Sequence, residues 1–140
     1  HVDELLQEGR AAMVQPYLES VEQPGEIDLV YLRGQFSHAV RKVAPLAEAA
    51  EAAVVLPHAE RATPTDPEPE HRALADAALA AVTARFPDAS PLLYARVDLV
   101  LGLRGEPLVL EVELAEPALF LHTAPESAER FADAIATTLD

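Results

Sequence analysis

This sequence predicts an α+β fold, an antiparallel sheet with helices on one face, and three observations lead there. Two stretches, GEIDLVYLRGQFSHAVRKVA and LLYARVDLVLGLRGEPLVLEVELAE, alternate apolar and polar residues on either side of a Gly-containing turn, the pattern of β-hairpins. Two others, EHRALADAALAAVTARF and APESAERFADAIATTLD, repeat apolar residues at helical spacing. The order is helix, strands, helix, strands, helix, and strands joined by tight turns pair antiparallel.

Taken in order, Asp3 to about Ala11 is rich in helix formers, with Leu5 and Leu6 as its apolar side. MVQPYL is a short edge strand or a connecting segment, because Pro16 interrupts it. In the first hairpin a two-residue turn at Arg33-Gly34 sets Glu26 opposite Arg41 and puts Phe36, His38, Val40 and Lys42 on one face. Residues 45–69 are rich in Ala, Glu and Pro, and TPTDPEPE reads as a surface loop. The next helix aligns Leu74, Ala78, Val82 and Phe86 and stops at Pro87. The second hairpin spans about Leu92 to Glu116 with its turn at Arg104-Gly105. The last helix has Pro125 in its first turn and Phe131, Ile135 and Leu139 four apart.

Composition narrows the function. A chain of 140 residues, 50% hydrophobic, suits one domain with a real core. A net charge of −14, with Lys42 as the single lysine, argues against nucleic acid or an anionic membrane as partner. No apolar run approaches the ~20 residues of a membrane helix, and no signal-peptide pattern opens the chain. Zero Cys excludes disulfides, thiolate metal sites and Cys nucleophiles, and fits a reducing, cytoplasmic setting. The first residues, HVDELLQEGRAAM, read like the end of a helix without an initiator Met, so a fragment of a longer protein is expected.

The strands of the second hairpin carry acids among their apolar residues. Side chains alternate faces along a strand, so Tyr94, Arg96 and Asp98 share one face, and Val109, Glu111 and Glu113 share one on the partner. A two-residue turn at Arg104-Gly105 pairs Asp98 with Glu111 and Arg96 with Glu113, and paired Cβ atoms lie ~5 Å apart. One reading is an exposed sheet face with Arg96 pairing Glu113. The other starts from Asp98 opposite Glu111, a like-charge pair that costs stability unless a cation sits between them. Oxygen ligands of this kind suit Mg²⁺, and an Arg beside the metal can steady a phosphate or an oxyanion.

The stretch ARVDLVLGLRGEPLVLEVELAEP resembles the end of the ATP-grasp fold, the ligase superfamily of D-alanine–D-alanine ligase and glutathione synthetase. There an R-x-D strand turns into a strand ending E-x-N, followed by Pro. Here the matching residues are Arg96 and Asp98, then Glu111 and Glu113, with Glu113 where the family has Asn and Pro117 slightly further on. By this resemblance Arg96 is catalytic, and Asp98, Glu111 and Glu113 hold Mg²⁺ or Mn²⁺. MVQPYLESVEQPGEIDLVYLRGQF is similar to the family's hinge, strand and hairpin. That implies Gln15, Pro16, Tyr17 and Leu18 along the adenine of ATP and Glu26 on the ribose. QFSHAVRK and EPALFL resemble a bacterial subgroup of glutathione-synthase-like ATP-grasp enzymes. The likeness covers most of residues 10–140.

The implied function is the ATP- and Mg-binding half of an ATP-dependent carboxylate–amine ligase acting through an acyl phosphate, with residues 1–140 as the C-terminal part of the ATP-grasp domain. The subgroup's Arg-containing stretch and Gly pair after the R-K strand are missing from residues 43–64, and a single Lys cannot supply the family's phosphate-gripping lysines. The partners implied are small-molecule carboxylate and amine substrates, with room for a homo-oligomer. An alternative is a non-catalytic acidic module that keeps the fold for assembly or regulation. His38 and Lys42 either point at ATP phosphates or snorkel to the sheet edge. His58, His71 and His122 lack zinc-ligand spacing, and Ser20, Ser37, Ser90 and Ser127 lack a nucleophile elbow.

Overall fold

The computed structural model describes residues 1–43, 62–89 and 91–139. Five strands form one antiparallel sheet in the order β3-β2-β1-β4-β5, with β1 Glu26–Leu32, β2 Gln35–Lys42, β3 Ala62–Thr65, β4 Tyr94–Leu101 and β5 Pro107–Glu113. Helix α1 is Val2–Gln7, α2 is Pro69–Arg85 and α3 is Ser127–Leu139. The α+β class with an antiparallel sheet is thus the one its alternating strands predict. Of the residues weighed above, His58 and Ser90 lie outside the described residues.

The core forms where α2 lies on the sheet. Ile27, Leu29 and Tyr31 of β1 and Ala95, Val97 and Leu99 of β4 alternate onto one face and pack with Ala39, Ala75 and Leu79. Fully burying such a Leu or Ile contributes ~1.5–3 kcal/mol. Helix α2 turns a slightly different face inward from the one its spacing suggested. His71, Ala75 and Leu79 are buried, Leu74 and Ala78 flank them, and Phe86 is exposed. Pro69 opens this helix at its first position, where no backbone N–H is needed. Helix α3 sits at the end of the sheet. Phe131 meets Tyr94 edge-on with ring centroids 6.2 Å apart, and Arg130 donates to the Ser37 hydroxyl at 3.1 Å. Pro125 precedes α3, while Ile135 and Leu139 stay exposed.

Helix α1 ends at Gln7, short of Ala11, because Gly9 N–H donates to Leu6 O and Arg10 N–H to Leu5 O, a closing pair that redirects the chain. MVQPYL is a connecting segment and forms no strand. The loop expected at TPTDPEPE is partly a strand. Ala62–Thr65 pairs with β2 at the sheet edge, where Pro64 is tolerated because an edge residue can do without a ladder donor.

Two bulges set what faces what. Arg33 and Gly34 form the two-residue turn, both with positive φ, as expected. An extra residue at Ser37 then shifts the pairing, so Val30 faces His38 while Tyr31 faces Phe36. Phe36 therefore turns to the core face, edge-on to Tyr31, away from His38, Val40 and Lys42. Glu26 faces Lys42 rather than Arg41, whose guanidinium donates instead to Pro24 O at 3.3 Å. In the second hairpin the connection runs over 102–106, longer than the two residues expected. A bulge at Leu110 absorbs the difference, so Arg96 still faces Glu113 and Asp98 still faces Glu111.

Candidate active site on the sheet face opposite helix α2

Reading across the strands by register gives two adjacent rows on this face. Val40, Asp28, Asp98 and Glu111 form one, and His38, Val30, Arg96 and Glu113 the other, with Lys42 and Glu26 paired beside them. Five carboxylates and two cations meet here, an excess of three negative charges with every group ionised. The setting is not an exposed face. Asp28 and Asp98 are 0% exposed and Arg96 is 5% exposed, while Glu111 at the outer strand stays open.

Arg96 is the hub. Its Nε and Nη2 donate to the two oxygens of Asp98, both at 2.8 Å, and Nη2 lies 2.9 Å from Glu113 Oε2. The planar fork matches a carboxylate in two places at once. Its Nη1 donates to Ala118 O at 3.3 Å, while Asp28 and Glu111 stand at 3.6 and 3.7 Å. Burial opposes the Arg96 charge, yet Asp98, Asp28 and Glu113 together hold its pKa above the ordinary value.

Lys42 bridges the other acids, 2.7 Å from Glu26 and 2.9 Å from Asp28 Oδ2. Burial opposes its charge too, but the Glu26 and Asp28 contacts outweigh that and raise its pKa. Asp28 is the residue the sequence reading missed, although Glu26-Ile27-Asp28 alternation already sets it on the face of Glu26. Neither of its oxygens accepts a hydrogen bond of good geometry among the described residues, so Lys42 holds it as an ion pair. Desolvation, then the facing Asp98, push its carboxyl up to about 7 against the pull of Lys42. Burial, then Asp98, also raise Glu111.

The segment after β5 folds back over this face. The Phe120 ring lies 6.0 Å from the Lys42 ammonium and 5.8 Å from the Arg96 guanidinium. His38 donates from Nε2 to Leu119 O at 2.8 Å and accepts from the Ser37 hydroxyl at Nδ1, 2.9 Å away. Both ring nitrogens are thereby occupied, and His38 is a buried clasp for this segment rather than a free group.

Glu26, Lys42, Arg96, Asp98, Glu111 and Glu113 thus share one patch. Gln15, Pro16, Tyr17 and Leu18 do not join it in this structure: they lie in the connecting segment, and the Tyr17 hydroxyl donates to Glu22. Two roomy clefts, 590 Å³ beside Arg72 and Asp76 and 460 Å³ beside Arg33 and Arg130, are lined by none of the patch's carboxylates. The donor set fits a hard divalent cation. One oxygen each from Asp98, Glu111 and Glu113 lie within 4.8 Å of one another, as do oxygens from Glu26, Asp28 and Asp98.

The hairpin that presents Arg96 and Asp98 against Glu111 and Glu113 is the stretch that resembles the ATP-grasp ligases in sequence, and over nearly its whole length the chain is similar to a cycloserine biosynthesis protein. The cycloserine biosynthesis protein DcsG of Streptomyces lavendulae is 43% identical over 139 residues, 99% of this chain and 46% of DcsG. The crystal structure of D-cycloserine synthetase DcsG matches with a TM-score of 0.79 at 44% identity, over 90% of this chain and 42% of that one. The chain therefore spans just under half the length of the curated relative it matches. D-alanine–D-alanine ligase from Bacillus anthracis complexed with ATP is a looser match, TM-score 0.49 at 17% identity, over 81% of this chain and 37% of that one. No protein-family model matches. Among the described residues no helix is long and apolar enough to cross a membrane.

Proposed function

We propose that this chain forms the nucleotide- and metal-binding part of an ATP-dependent carboxylate–amine ligase. The observation that carries the reading is the Arg96–Asp98–Glu111–Glu113 constellation, buried on its Arg side and open at Glu111. In such a ligase a substrate carboxylate oxygen attacks the γ-phosphorus of ATP, giving an acyl phosphate and ADP. An amine then attacks the acyl carbon and phosphate leaves.

Mg²⁺ held by Asp98, Glu111 and Glu113 would neutralise phosphate charge, and the three-charge excess of the patch is what fits these residues to it. Arg96, locked by Asp98, meets charge developing on the transferred phosphoryl group or the acyl oxyanion at little reorganisation cost. Lys42 supplies a cation for the phosphates and Glu26 accepts from the ribose hydroxyls. The buried Phe120 ring beside both cations lowers the local polarity, which strengthens their fields. For His38 the assignment narrows to holding the 118–120 segment in place. Gln15 to Leu18 contact adenine only if their segment closes over the patch.

D-cycloserine synthesis, the activity named for the Streptomyces protein, is the first reaction to test. The full-length protein is assayed for ADP release with carboxylate–amine pairs and for D-cycloserine. Turnover that falls ~10²–10³-fold in Arg96→Met is expected, as for loss of one oxyanion donor. ATP binding with no turnover, or activity untouched by both Arg96→Met and Glu111→Gln, would favour the non-catalytic module.

A further inference from the structure

Asp28 lies where the two cations of the patch meet. Its Oδ2 is 2.9 Å from Lys42 Nζ and 3.6 Å from Arg96 Nε as ion pairs, the side chain is 0% exposed, and neither carboxylate oxygen accepts a hydrogen bond of good geometry among the described residues. The two cations depend on it unequally. Arg96 is fixed by two hydrogen bonds to Asp98, one to Ala118 O and an ion pair with Glu113 whatever Asp28 does. Among the described residues Lys42 has ion-pair partners only in Glu26 and Asp28. Glu26 is partly exposed and, in the reading above, exchanges part of its hold on Lys42 for the ribose hydroxyls. Asp28 has no solvent access, and its other cationic neighbour among the described residues is Arg96 Nε at 3.6 Å, already bound to Asp98.

We propose that Asp28 is a positioning residue: it anchors the Lys42 ammonium toward the triphosphate while Glu26 engages the ribose. A buried carboxylate this near a phosphate site would otherwise only repel the nucleotide. The two roles give opposite signs when the charge is removed without changing the shape. As a repeller, Asp28→Asn tightens ATP; as an anchor, it frees Lys42 to more than one rotamer and weakens ATP. A general loosening of the fold weakens adenosine by the same factor. The inference rests on the nucleotide-site reading.

The test measures Kd for ATP and for adenosine, at excess Mg²⁺, in the full-length protein and in Asp28→Asn, Lys42→Gln and the double variant. The expected result is ATP weakened about tenfold by Asp28→Asn, which is ~1.4 kcal/mol, with adenosine unchanged. In the Lys42→Gln background the same change should add less than about twofold, because the two act as one unit. Asp28→Ser is read in the same way where Asp28→Asn fails to fold. An unchanged or tightened ATP Kd, equal weakening of adenosine, or an undiminished effect without Lys42 overturns the proposal. ATP binding indifferent to Lys42→Gln and Glu111→Gln alike removes the nucleotide-site reading itself. Those two weakening ATP with Asp28→Asn silent removes only Asp28.

Discussion

At the scale of single residues, burial reverses what the sequence pattern suggests about Arg96. On an exposed face its loss would cost the ~0–1 kcal/mol of a surface ion pair. Here Arg96→Met strips the partner from fully buried Asp98 and from half of what balances Asp28, and breaking a buried pair typically costs ~3–5 kcal/mol. Urea melts should show that loss, with Arg96→Lys only partly restoring it for want of the planar fork. An effect below ~1 kcal/mol would mean the patch is wetter than its geometry indicates. His38 gives a second prediction at this scale. Burial is the main force lowering its pKa, against the Leu119 carbonyl that favours the charged ring. A pKa depressed in the folded state means the unfolded chain takes up the proton first as pH falls. Stability from this group is therefore intact above pH ~6.5 and lost as pH drops through that value toward the lowered one. Melting temperatures of wild type and His38→Gln between pH 5 and 8 should converge at the acid end. Parallel curves would show that His38 titrates normally.

At the scale of elements, the sheet depends on a close approach at Gly25, just before β1. Its φ is +91°, and a Cβ there would stand 2.1 Å from Lys42 O. Gly25→Ala should cost more than the ~1–3 kcal/mol of a strained backbone conformation, because the β1–β2 ladder must also move. Gly105→Ala is the control, with φ +83° and open space around it, and should cost only ~1–2 kcal/mol. Equal melting temperatures for the two variants would count against the close approach. The same elements show what the sequence could tell. Alternation was enough to set Arg96, Asp98, Glu111 and Glu113 on one face, and the family resemblance supplied their roles. The Ser37 and Leu110 bulges were not readable, since one extra residue in a strand has no compositional mark. Their consequences were unequal. Leu110 cancelled a misjudged turn and left the expected pairs intact, whereas Ser37 moved Phe36 to the core and gave Glu26 to Lys42. Asp28 was legible from Glu26 but passed over, because an acid inside EIDLVYL only gains meaning once β4 is known to lie beside it.

At the scale of the whole molecule, the patch is a concentrated part of a general imbalance. The chain carries −14 overall, and with every group ionised three unbalanced negative charges sit in a region where Asp28 and Asp98 are sealed from water. Folding presses like charges together across β1 and β4, and the raised carboxyls of Asp28 and Glu111 register that cost. A divalent cation bound to the folded state alone relieves it and stabilises by RT ln(1 + [L]/Kd). For a millimolar site at tenfold excess this is about 1.4 kcal/mol, several degrees in the melting temperature of a chain this size. Melts of the 140-residue chain with and without Mg²⁺ or Mn²⁺, at constant ionic strength, should therefore show a rise in wild type. The rise should shrink or vanish in Asp98→Asn/Glu111→Gln. Constant ionic strength matters because screening alone, with a Debye length of ~10 Å at 0.1 M, would also soften the repulsion. The double variant separates the two causes. Screening acts on the whole surface, which the variant keeps, and ligation acts only through the carboxylates it removes. The variant should itself melt lower than wild type without metal, since Asp98→Asn takes the charged partner from buried Arg96, so each protein's rise is measured from its own metal-free melt. A metal-induced rise of equal size in both proteins would assign the effect to screening and leave the carboxylates without a ligand role.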